Sequence, residues 1–77
     1  MLSRSKRFEN AKELVRRAVM EMEELKSELD DWLDNMPENL QGSQKAGELE
    51  EAIDQLDEII ISLEETEAMD IMFPGMY

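Results

Sequence analysis

The sequence predicts an all-α fold: an antiparallel hairpin of two long helices that self-associates, most simply into a four-helix bundle or a higher oligomer. Three observations lead there. Apolar residues recur at heptad spacing in two separate runs. Between the runs lies MPENLQGS, residues 36–43, with Pro37 and Gly42 to stop and turn a helix. No stretch alternates apolar and polar residues at the period of a strand.

In the first run Phe8, Val15, Met22, Leu29 and Met36 fall seven apart. Ala11, Ala18, Leu25 and Trp32 supply the companion row of a coiled-coil seam. Leu14, Val19 and Leu33 widen the stripe, which suits packing against more than one neighbouring helix. Helix 1 is expected over residues 5–35, roughly 45 Å long at 1.5 Å per residue. In the turn, Pro37 lacks an N–H and disfavours a helical Met36, Gly42 permits a left-handed residue, and Ser43 is a cap for the next helix.

The second run, AGELEEAIDQLDEIIISLEE, sets Ala46, Ile53 and Ile60 in one row and Leu49, Leu56 and Leu63 in the other. Ala52 and Ile59 widen it, and helix 2 is expected over residues 44–67, about 36 Å. A connection this short returns the chain antiparallel. Chain 1–77 is then one helical-hairpin domain with an apolar tail at 68–77. Two helices leave part of each wide stripe wet, so a homo-oligomer is expected, with Ile61 on the outward side.

The composition excludes more than it assigns. With no cysteine and no histidine, the chain has no disulfide, no imidazole or thiolate metal site, and neither of the commonest catalytic side chains. It contains no P-loop, no dinucleotide-binding glycine motif and no nucleophile elbow, so a non-enzyme without cofactor or metal is expected. Carboxylate pairs such as Glu24 with Glu28, Asp30 with Asp34, Asp54 with Asp57 and Glu58, and Glu64 with Glu67 share helix faces. A hard cation could use them, but an acid-rich solvated face is the stronger reading. DDWLDNMPEN lacks the glycine and glutamate of an EF-hand loop. No run is apolar enough for a signal peptide or a membrane span, and a cytoplasmic chain is expected.

The net charge of −12 argues against direct binding to nucleic acid or to an anionic membrane. It is unevenly spread. Residues 1–20 carry Arg4, Lys6, Arg7, Lys12, Arg16 and Arg17 against Glu9 and Glu13, a balance of +4. The remaining residues carry −16. The basic end can pair with Glu64, Glu65 and Glu67 across the hairpin. Alternatively, Arg4, Lys6, Arg7, Arg16 and Arg17 could hold a phosphate or nucleotide on which Phe73 or Tyr77 stacks. The opposite end, from Glu21 to Asp34 and Glu48 to Asp54, reads as a solvated face, a lure for a basic partner, or a mimic of a DNA phosphate track. The closing residues Met69, Ile71, Met72, Phe73, Met76 and Tyr77 are expected to fold back over Leu2 and Phe8, or to anchor an oligomer or partner.

At DWLDNMPENLQGS, LEEAIDQLDEII and FPGMY, over roughly residues 28–77, the chain looks like small acidic helical proteins encoded by tailed phages. The resemblance supplies no activity and no site residues. It implies a viral protein in host cytoplasm that binds and disables something of the host, such as a defence function. The competing mechanisms are capture of a nucleotide-type signal at the basic end and occlusion of a host protein by the acidic surface or tail. A virion or scaffolding component is the structural alternative.

Overall fold

The computed structural model describes residues 2–75; Met1, Met76 and Tyr77 lie outside the described residues. Helix α1 spans Arg4–Asp34 and α2 spans Gln44–Ala68; no strand occurs among the described residues. The helices pack along their length into a rod 67 × 17 × 13 Å.

Each helix starts on a serine. Ser3 Oγ accepts from the Lys6 N–H at 3.1 Å and Ser43 Oγ accepts from the Ala46 N–H at 3.4 Å, satisfying N–H groups that lack a helical partner. Helix α1 ends where Asn35 donates twice to the Asp31 carbonyl, from its backbone at 3.0 Å and its side chain at 2.8 Å. Pro37 then denies the helix another donor. The reversal differs from the glycine turn expected at Gly42. A single 3-10 turn at Glu38–Leu40, closed by the Leu40 N–H on the Pro37 carbonyl at 2.9 Å, turns the chain with right-handed backbone. No described residue, Gly42 included, has a positive φ.

Two cross-helix bonds fix the register. Arg16 meets Glu67, and ten residues further along α1 Lys26 meets Asp57, ten residues back along α2. The strictly antiparallel pairing therefore holds without a shift over that interval.

In α2 both heptad rows face α1: Ala46, Leu49 and Ile60 are buried, and Ile53, Leu56 and Leu63 are half-buried. In α1 the Phe8–Met36 row is likewise half-buried, but its companion is not the Ala11–Trp32 row. Lys12, Val19, Lys26 and Leu33 line the groove instead, and Val19 alone on α1 is buried. Ala11, Leu25 and Trp32 are exposed. Spacing on one helix cannot choose between these rows, because +3 and +4 from the first row each lie one turn away on opposite flanks. The lysines are accommodated because their aliphatic stems cover the seam while the ammonium groups reach out to carboxylates.

Candidate functional site

The open end of the hairpin gathers the basic cluster, the end of α2 and the tail. Most of the cations are engaged there. Arg16 is bracketed by Glu13, one turn away on α1, and by Glu67, whose Oε1 accepts from Arg16 Nε at 2.7 Å. The bond to Glu67 first, and then the charge of Glu13, raise the Arg16 pKa above its ordinary value. Arg17 approaches Glu13 at 4.0 Å, Lys6 approaches Glu9 at 3.6 Å, and Lys12 approaches Asp70 at 3.8 Å. Among the described residues, Arg4 and Arg7 alone of this cluster make no ion pair.

The tail leaves α2 at Met69 in an extended conformation and returns over α1. Phe73 meets Phe8 edge-to-face, with ring centres 5.6 Å apart, and the Lys12 ammonium lies 5.6 Å from the Phe8 ring centre. Arg4, Arg7, Phe8 and Phe73 line one shallow hollow. Met69, Ile71 and Met72 stay exposed, Met72 at 96%, so only Phe73 of the described apolar tail residues is tied down. Met76 and Tyr77, named above as stacking or anchoring groups, lie outside the described residues.

Of the five basic residues expected to hold a phosphate, the structure therefore brings Arg4 and Arg7 to an aromatic hollow and commits Lys6, Arg16 and Arg17 to carboxylates. Two contacts reaching beyond α1 were not anticipated, Lys12 with Asp70 and Lys26 with Asp57. The register gives the signal for the second: once Arg16 is set against Glu67, Lys26 must fall beside Asp57.

Charge divides along the rod. The +4 of residues 1–20 is offset by Glu64, Glu65, Glu67 and Asp70, so the open half nets zero. The whole −12 resides in residues 21–61, the half containing the turn. Both cations of that half are engaged. Lys26 Nζ donates to Asp57 Oδ1 at 2.9 Å, a bond that raises the lysine pKa against the opposing effect of burial. Lys45 lies over the Trp32 ring, 5.8 Å from its centre. The acids around them, Glu21, Glu24, Glu28, Asp31, Glu48 and Glu51 among them, are exposed.

Among the described residues no three acidic side chains come together as a metal site, and no helix is long and apolar enough to cross a membrane. No protein-family model matches the chain, and no curated protein or solved structure shows significant similarity to it.

Proposed function

We propose that this chain is a non-enzymatic, self-associating interaction protein that acts by stoichiometric binding, its acid-rich turn half engaging a basic protein surface. The observation that carries this reading is the charge partition: cations and acids cancel at the open end, while −12 stands on the turn half with both of its cations occupied. Such a field accelerates encounter with a positive partner and disfavours nucleic acid and anionic lipid. The setting, a phage protein that occludes a host factor in the cytoplasm, rests on the resemblance of the turn and tail sequences alone.

Affinity capture with the wild-type chain and with a variant carrying Glu21→Gln, Glu24→Gln, Glu28→Gln and Asp31→Asn tests the reading. A basic protein retained stoichiometrically by the wild type, released by salt and lost with the variant, supports it. Capture that is indifferent to salt and to these substitutions overturns it.

A second reading, recognition of a phosphorylated or nucleotide ligand, is favoured by the pairing of Arg4 and Arg7 with Phe8 and Phe73 around one hollow. A nucleotide panel that raises the melting temperature of the wild type, but not of Arg4→Glu with Arg7→Glu, selects it. No shift across the panel removes it.

A further inference from the structure

Two features of the hairpin have no explanation within a single copy. The more apolar flank of α1, the Ala11–Ala18–Leu25–Trp32 row, is turned from the groove, with Ala11, Leu25 and Trp32 exposed and Ala18 half-buried, while two lysines occupy the groove. Arg4, the next member of that row by spacing, and Arg7 have no acidic partner among the described residues.

The open row is continued on α2. Lys45, Ala52 and Ile59 fall seven apart and so share one line along that helix. The Lys45 ammonium over Trp32 places that line on the same side of the hairpin as the Trp32 row. The register that joins Lys26 to Asp57 sets Leu25 within one residue of the level of Ile59, and Trp32 within one residue of the level of Ala52. An apolar strip therefore crosses both helices, with Leu25, Trp32 and Ile59 each between 43% and 50% exposed.

We infer that this strip is the contact with a second copy of the chain, and that the two hairpins lie antiparallel about a two-fold axis near Leu25 and Ile59. This rests on the self-association proposed above and specifies its face and its order. Charge fixes the order. A parallel pair would lay one −12 half on another, whereas the antiparallel pair lays each −12 half on the neutral open half of its partner. It also points the unpaired Arg4 and Arg7 at the acid-rich turn end of the partner. Shape agrees: a two-fold axis at Leu25 brings Trp32, seven residues beyond it, over the partner's Ala18, seven residues before it, the largest side chain opposite one of the smallest. The need for a partner is plain from the core, where only Val19, Ala46, Leu49 and Ile60 are buried among the described residues of a 77-residue chain. This order puts the two Arg4–Phe73 hollows at opposite ends of the dimer, so that no single ligand is enclosed by both.

Light scattering and sedimentation of the full chain read the oligomer, expected at twice the 9.0 kDa of one copy. Leu25→Glu with Ile59→Glu is expected to raise the dimer dissociation constant at least ~100-fold while circular dichroism retains the helices. Met20→Glu with Ile61→Glu, at exposed positions outside both rows, leaves the dimer intact. In an otherwise wild-type background, Ala11→Cys and Leu40→Cys chains mixed with a short bis-maleimide cross-link to each other, and Ala11→Cys does not cross-link to itself. A wild-type chain that stays monomeric at high micromolar concentration ends self-association itself. A dimer that survives the Leu25 and Ile59 substitutions, or that cross-links Ala11 to Ala11, keeps self-association and overturns this interface.

Discussion

Arg16 and Glu67 stand 51 residues apart in the chain and meet at 2.7 Å, closing the open end of the hairpin on one exposed ion pair. With Glu13 on its other side, Arg16 is the only cation among the described residues that is bridged to both helices. Arg16→Glu is expected to lower the melting temperature by setting three acids together, and adding Glu67→Arg to recover much of it. The coupling should be small because both side chains reach water and exposed pairs contribute little. Thermal melts of the four chains in a double-mutant cycle measure it.

Lys26 gives a pH dependence of definite sign. Its pKa is raised by the bond to Asp57, so the contribution of the lysine is fully present below its unfolded-state value and fades as pH rises through the folded-state value. The stability difference between wild type and Lys26→Met should therefore be constant between about pH 7 and pH 9, and should shrink above about pH 10.5. Urea titrations of both chains at several pH values check this.

The concentration of −12 in one half makes salt a stabiliser. Exposed acids on both helices of that half repel one another, and the repulsion is screened within ~10 Å at 0.1 M salt. Added sodium chloride should raise the melting temperature, whereas the few attractive pairs at the open end lose little by screening. A fall in melting temperature with salt would mean that the ion pairs outweigh the crowded acids.

Packing and backbone entropy give substitutions of opposite sign on α2. Ile60 is 5% exposed and faces the α1 seam, so Ile60→Ala should cost about 2–4 kcal/mol. Gly47 sits in the first turns of the helix, and a methyl group added there would meet nothing within 4 Å, so Gly47→Ala should add about 0.5–1 kcal/mol. Denaturant unfolding of the two variants distinguishes the effects.

The two helices and the place of their reversal were legible because heptad spacing, Pro37 and the Ser43 cap act locally, whereas the Ser3 cap was not read. The α2 rows were legible too, since Ala46, Ile53 and Ile60 and Leu49, Leu56 and Leu63 outcompete every other flank in apolar character. The facing row of α1 was not. Judged by hydrophobicity, Ala11, Ala18, Leu25 and Trp32 should face α2, yet the row with Lys12 and Lys26 does so. The choice depends on the partner helix, where Asp57 and, beyond α2, Asp70 await those two lysines. Of the basic cluster, the sequence located the residues but not their division into paired and unpaired cations, which follows from the tertiary register.

Of the tail's described apolar side chains Phe73 alone is held, beside the exposed ion pair of Asp70 with Lys12. Phe73 lies edge-on to Phe8 at 5.6 Å and is half-buried, whereas Met72 beside it is 96% exposed and Ile71 also faces water. An aromatic pair in this geometry contributes about 0.5–1.5 kcal/mol beyond the area it buries. Phe73→Ala should therefore destabilise the hairpin by about 1–2 kcal/mol, and Met72→Ala should stay within about 0.5 kcal/mol. Phe8→Ala should match or exceed the loss at Phe73, because Phe8 also belongs to the heptad row facing α2 and lies under the Lys12 ammonium. In the double variant the two losses should fall short of additive, since each substitution removes the same ring contact. Urea unfolding of the three single variants and of the Phe8→Ala, Phe73→Ala pair measures the coupling. Full additivity would mean that the tail is docked by something other than this pair of rings.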